Sequence, residues 1–207
     1  MPGEGKEIVV GISGASGSAL AIGLLQSILP LDAVSRIHLV VSPSALAVAR
    51  QEVGSEIHDA RSFVTILGLE PRVAGKIEIH SDDDVSAAIS SGSYPTAGMI
   101  VVPCSAGTLA SIAHGISRGL LQRAADVTLK ERRPLVLAFR ESPYSLVHLE
   151  NMAAATRAGA IVMPPSPAFY IEAPSIERLM QAWYFRVARV FGVELPGDFV
   201  WRGPRRP

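Results

Sequence analysis

Glu7-Ile-Val-Val-Gly-Ile-Ser-Gly-Ala-Ser-Gly17 is the stretch on which the fold turns. Its first half is a β-branched run without polar alternation, the pattern of a strand buried on both faces and hence of a parallel sheet. Its second half is a turn of small residues with glycine at 11, 14 and 17. Beyond it, Ala19 to Leu29 carries apolar residues at helical spacing up to Pro30. The unit is strand, turn, helix, and it recurs along the chain. Ile37 to Val41 precedes Ser44 to Val53, and Gly98 to Val102 precedes Ser105 to Ile112. Leu135 to Phe139 precedes Ser145 to Ala158, and Ala160 to Met163 precedes a last helix over about Ser175 to Phe191. Lys76 to His80 is a further candidate strand. Alternation of this kind predicts an α/β chain with a Rossmann-like, doubly wound parallel sheet. Between Val53 and Ser90 the pattern weakens around Asp82, Asp83 and Asp84, and the stretch reads as a variable excursion. The end, about 195–207, holds Trp201, Arg202, Arg205 and Arg206 among prolines and glycines and reads as irregular.

Composition narrows the class. A length of 207 residues with 48% apolar content suits one domain spanning 1–207. Acidic and basic residues number 19 each, so no excess charge recruits nucleic acid or an anionic membrane. Only 18% of residues are charged, which predicts that apolar surface is buried between subunits in a homo-oligomer. Cys104 is the single cysteine, so no disulfide framework is available and a reducing compartment is implied. Met1 to Lys6 lacks the pattern of an export signal, and no apolar run reaches membrane-spanning length; the expectation is a cytoplasmic protein.

The first turn places Gly14, Ala15 and Ser16 where a buried strand feeds a helix, so N–H groups and hydroxyls can meet a phosphate there. A turn that needs glycine for its backbone angles alone would look similar. A dinucleotide fold would carry Asp or Glu at the end of the second strand, where this chain has Ser42, and its glycine spacing differs; NAD is disfavoured. No Gly-Lys-Ser or Gly-Lys-Thr ending supports ATP, and no Gly-x-Ser-x-Gly elbow supports serine hydrolysis. Pro103-Cys-Ser-Ala-Gly-Thr108 lies at the carboxyl end of another strand, where ligands gather in such sheets, and Ser105 and Thr108 offer donors. Cys104 reads as a small buried residue under that turn rather than a nucleophile. Arg140 and Glu141 end the next strand and face the same crevice, a cation and a carboxylate where phosphate and an acid or base are wanted. Lys130 and Arg123 are candidates to join them, although any one cation over Lys130 to Arg133 equally suits a solvated helix end. Glu52, Tyr170 and Arg186 carry no signal by themselves. The histidines at 38, 58, 80, 114 and 148 lack metal-ligand spacing, and no metal is required.

Taken in order, Gly14-Ala-Ser-Gly17, Pro103-Cys-Ser-x-Gly-Thr108, Arg123-Ala-Ala-Asp-Val127, Lys130-Glu-Arg-Arg-Pro-Leu-Val136, Arg140-Glu-x-Pro143, His148-Leu-Glu-Asn-Met152 and Ala168-Phe-Tyr170 resemble the UbiX-type flavin prenyltransferases, formerly described as aromatic-acid decarboxylases. The resemblance runs from about residue 7 to 192. It implies a Rossmann-like flavoprotein that assembles as trimers into a dodecamer and binds FMN at a subunit junction. It assigns FMN contacts to Gly14, Ala15, Ser16, Ser42, Ser105, Ala106, Gly107, Thr108 and Arg140. Tyr170 and Arg186 would hold the phosphate of dimethylallyl monophosphate, with Lys130 and Glu141 completing that pocket. Glu52 and Arg123 match an acidic and a basic position near the reacting prenyl group. The implied reaction joins the prenyl group to N5 and then C6 of reduced FMN, releasing phosphate and making prenylated FMN for a UbiD-type decarboxylase. Glu141, Glu52 and the retained phosphate are the candidates for taking the ring-closure proton. Arg118-Gly119 departs from the family's polar pair ending in asparagine. The rival FMN-dependent cysteine decarboxylases share the fold but carry a Pro-x-Met-Asn-x-x-Met-Trp clamp, where this chain has Pro164-Pro-Ser-Pro-Ala-Phe-Tyr170. A non-catalytic flavin carrier would not need Arg140, Glu141, Tyr170 and Arg186 together.

Overall fold

The computed structural model describes residues 5–169, 173–197, 199–200 and 203. Six parallel strands lie in the order β3-β2-β1-β4-β5-β6: β1 (Lys6–Ile12), β2 (Val34–Val41), β3 (Ile77–His80), β4 (Met99–Cys104), β5 (Leu135–Phe139) and β6 (Ile161–Val162). The order reverses between β1 and β4, the switch point of a doubly wound sheet, where the helices that follow the two strands leave on opposite faces and open a crevice. The central strands are buried on both faces because a helix layer covers each. Leu24, Leu25, Phe63, Trp183 and Val187 pack with Val10, Leu39 and Ile100 on one face. Leu109, Leu121, Ala124 and Ala155 pack with Val9, Val101 and Leu137 on the other. This double burial is why the strands read as unbroken apolar runs.

Eight helices complete the described residues: α1 (Ser18–Ile28), α2 (Pro43–Glu52), α3 (Ala60–Thr65), α4 (Pro71–Ala74), α5 (Ala106–Ala113), α6 (Leu120–Lys130), α7 (Leu146–Arg157) and α8 (Ile176–Val190). The stretch read as a variable excursion contains α3, α4, β3 and a 3₁₀ turn at Ala88–Ser90. Its helices are too short to print a period on the sequence, and α3 is fixed instead by a reciprocal cap between Asp59 and Ser62. In α6, Leu120, Leu121, Ala124, Ala125, Val127 and Thr128 form a buried stripe. Its sequence signal was overshadowed by the cations at its end. The Trp201, Arg202, Arg205 and Arg206 tail lies outside the described residues, although Phe199 just before it packs on Phe185. Among the described residues no helix is long and apolar enough to cross a membrane.

Candidate functional site

The carboxyl ends of β1 and β4 are fastened to each other by one side chain. Ser13 Oγ donates to the Pro103 carbonyl at 2.9 Å and accepts from the Ser105 N–H at 2.8 Å. The Arg140 N–H donates to the Cys104 carbonyl at 3.2 Å, which brings the end of β5 alongside. Three strand ends thereby meet at the switch point, around an open cavity of about 390 Å³ lined by Gly14, Ala15, Ser16, Ser105, Ala106, Gly107, Arg140 and Glu141. That volume lies within the range of about 300–1,000 Å³ usual for small-molecule sites. The glycine turn, the α5 turn and the Arg140-Glu141 pair, far apart in sequence, are one site.

Each part is positioned by local chemistry. Ser105 caps α5, its hydroxyl accepting the Thr108 N–H at 3.3 Å and donating to Thr108 Oγ1 at 3.0 Å. Thr108 itself is buried. Ala106 and Gly107, whose N–H groups precede the first intrahelical donor, line the cavity. Gly14 is required by packing, since a Cβ there would stand 2.5 Å from Ser44 Oγ at the start of α2. Gly17 is required by its backbone, at φ 120°. The Arg140 side chain runs beside Gly17, with Cδ 3.8 Å from where a Cβ on that glycine would be. Glu141 accepts the Ser142 N–H at 3.0 Å. Burial of Cys104 pushes its thiol above the usual cysteine range, which leaves it inert beneath the site.

At the start of α1 the Glu52 carboxylate accepts the Gly17 N–H at 3.0 Å and the Ser18 N–H at 2.8 Å. Burial opposes its charge, but hydrogen bonds from the Ser16 hydroxyl and from the Ser18 and Gly17 N–H groups outweigh burial and bring it from 4.5 to about 2. A carboxyl so acidic is a weak base, which counts against Glu52 for proton removal. Ser42 serves as the cap of α2, accepting the Ala45 N–H at 3.2 Å, and its hydroxyl lies 3.1 Å from that of Ser44, which abuts Gly14. It does not line the cavity itself.

Three expected residues are not joined to this cavity within one protomer. Lys130 ends α6, close before β5 begins, so it lies at the amino edge of the sheet, where it pairs with Glu131. Arg123 donates to the Ser90 carbonyl at 3.2 Å and to Asp126 at 2.8 Å. Arg186 is exposed on α8 and borders a separate small recess with Trp183, Ala168 and Phe199. Within one protomer, then, neither Lys130 nor Arg123 lines the crevice of the glycine turn. Tyr170 lies outside the described residues. Sequence reasoning also missed a polar cluster on β2 and β3, where His38, Glu78 and His80 converge; their distance in sequence hid what strand pairing brings together.

Comparison with known proteins places these observations in a context. The chain matches the flavoprotein family model over residues 2–183. It is 44% identical over 201 residues to the flavin prenyltransferase UbiX of Deinococcus radiodurans, covering 97% of this chain and 96% of that protein. The solved structure of AnUbiX (PadA1) in complex with FMN and dimethylallyl pyrophosphate is 40% identical, with a TM-score of 0.79, covering 96% of this chain and all of that one. A dodecameric FMN-dependent UbiX-like decarboxylase from Escherichia coli is 41% identical, with a TM-score of 0.82, covering 95% of this chain and all of that one.

Proposed function

The chain belongs to the UbiX flavin prenyltransferases of the flavoprotein family, and from that premise we propose that it joins the dimethylallyl group of dimethylallyl monophosphate to reduced FMN. The observation that carries this reading is the meeting of Gly14–Ser16, Ser105–Gly107 and Arg140–Glu141 around one cavity at the switch point. The residues fit a flavin nucleotide: the cavity is large enough, the α5 start offers N–H donors to a phosphate or ring edge, and Arg140 supplies a cation. When bound, reduced FMN supplies the nucleophilic N5 and then the C6 position.

The chain's own residues have three tasks. The first is to meet the charge that accumulates on phosphate as the prenyl C1–O bond breaks and the C1–N5 bond forms, a task for which Arg140, Lys130, Arg123, Arg186 and Tyr170 have the right chemistry. The second is to remove the proton from C6 when the ring closes, assigned here to Glu141, whose carboxylate borders the cavity and is not held by a helix start. The third is to hold the flavin, assigned to Gly14, Ala15, Ser16, Ser42, Ser105–Thr108 and Arg140. Glu52 then keeps the glycine turn in shape through its hydrogen bonds to Gly17 and Ser18. With Lys130 and Arg123 directed away from the cavity of their own protomer, a complete pocket draws on a second copy, which accords with a homo-oligomer, proposed as a dodecamer. Leu146, Val147 and Leu149, exposed at the start of α7, are apolar surface for such contacts. The remaining assignments are one domain, cytoplasmic, with its product passing to a UbiD-type decarboxylase; the buried single thiol is in keeping with that compartment.

Anaerobic incubation with reduced FMN and either dimethylallyl monophosphate or diphosphate, followed by mass analysis of the released flavin, tests the proposal. A flavin heavier by one prenyl group and free phosphate from the monophosphate are expected. Unmodified flavin in both arms would overturn the reading, and product from the diphosphate alone would reassign the substrate.

A further inference from the structure

Parallel pairing sets His38 on β2 opposite Glu78 on β3, with His80 two residues further along the same face of β3. The two imidazoles face each other, His38 Nδ1 lying 3.0 Å from His80 Nε2. One Glu78 oxygen is 3.8 Å from His38 Nδ1 and the other is 3.7 Å from His80 Nε2. The His38 side chain is 1% exposed and that of His80 9%. Donors bound at about 2.0–2.2 Å to one tetrahedral ion stand about 3.3 Å apart, a value the observed separations bracket.

The surroundings fix the tautomer this geometry needs. His38 Nε2 lies 3.0 Å from Glu7 Oε2, and the Tyr94 hydroxyl donates to the same oxygen at 2.7 Å. Glu7 Oε2 is the acceptor of the Tyr94 hydroxyl, so His38 Nε2 is the donor to it, and in the neutral ring Nδ1 presents a lone pair toward His80 and Glu78. Carboxylate-to-imidazole support of this kind is what orients metal-binding histidines. Arg36 pairs with Glu78 Oε2, leaving Oε1 on the His80 side; the pair is exposed and worth little in competition. His80 also lines an open cavity of about 310 Å³ with Asp59, Ser81, Asp82 and Asp83, a path for an ion and its water.

We propose that His38 Nδ1, His80 Nε2 and the Glu78 carboxylate form a binding site for a zinc-class divalent ion, with water in the fourth position and Glu7 positioning His38. Two imidazoles and one carboxylate suit zinc rather than magnesium or calcium. The ion ties the four-residue edge strand β3 to β2, at the far side of β1 from the flavin cavity, so its role is separate from prenyl transfer.

The test is titration of Zn²⁺ alone into chelator-stripped full-length protein, followed by calorimetry and thermal unfolding, with FMN uptake measured on the same samples to report folding. One zinc per chain and a raised unfolding midpoint are expected. His80→Ala and Glu78→Gln should each weaken zinc binding at least tenfold, and Glu7→Gln by about tenfold. Glu194→Gln, an exposed position outside both the cluster and the cavity beside it, should bind as the parent does. Glu78 is partly exposed, so Glu78→Gln decides the matter even if His80→Ala does not fold. Absence of stoichiometric zinc in the parent, or affinity unchanged by Glu78→Gln, would reduce the cluster to a hydrogen-bonded histidine pair and overturn the proposal.

Discussion

At the start of α1 a carboxylate from the same chain meets the free N–H groups. Glu52 sits one helix away in sequence, yet its oxygens collect the Gly17 and Ser18 N–H groups, where negative charge is favoured by the helix dipole and the free donors. Its carboxyl titrates near 2 in the folded chain against 4.5 unfolded. The contribution is therefore fully present above pH 4.5 and is lost as pH falls toward 2. Because Glu52 is exposed, the size is modest. Glu52→Gln should lower stability by about 0.5–1 kcal/mol at neutral pH and flatten the acid limb of the stability profile. Denaturant unfolding at a series of pH values checks this; parallel acid limbs for the two proteins would remove Glu52 from the cap.

Among the helices, α1 is placed by its partner α8 as much as by its own sequence. Tyr184 of α8 is buried against Gly23, where a Cβ would stand 2.3 Å from the phenol oxygen and 2.7 Å from Cζ. Gly23→Ala in an open helix would stabilise by about 1 kcal/mol. Here it must displace a buried ring, at a cost of about 1–3 kcal/mol, so the expected net effect is neutral to about 2 kcal/mol destabilising. In a Tyr184→Ala background the obstacle is gone and Gly23→Ala should stabilise. A double-mutant cycle by denaturant unfolding reads that reversal of sign, and an additive cycle would contradict the contact. FMN uptake should survive in every variant, because the contact is remote from Gly14–Ser16.

On the scale of the whole molecule, the question is which residues act within one copy and which across two. Glu141 borders the cavity of its own protomer, whereas Lys130 lies at the opposite edge of the sheet. If both serve one pocket, they come from different chains. Glu141→Gln and Lys130→Ala should each be inactive alone, and after co-assembly of equal amounts should recover about a quarter of the parental rate, as random mixing gives for a site shared by two chains. Prenyl transfer measured before and after mixing through a dissociated state checks this. No recovery would mean that Lys130 acts elsewhere or only within its own chain.

Much of the fold is legible in the order of residues because its determinants are local. Ile8 to Ile12 and Leu135 to Phe139 are unbroken apolar runs because helices cover both faces, and turns rich in small residues follow the strands that end at the switch point. For the same reason Gly14, Ser16, Ser105, Arg140 and Glu141, which follow the carboxyl ends of three strands, could be named from sequence as one crevice. Contacts that depend on distant elements could not. The Glu52 cap spans 34 and 35 residues, the His38–His80 contact spans 42 and needs the β2–β3 register, and the heading of Lys130 needs the course of α6. Sequence alone determined the α/β alternation and the strand ends that carry chemistry, since period and turn composition are written over a few residues. Tertiary structure decided which side chains meet across those ends, since register and helix direction are settled only when the layers pack.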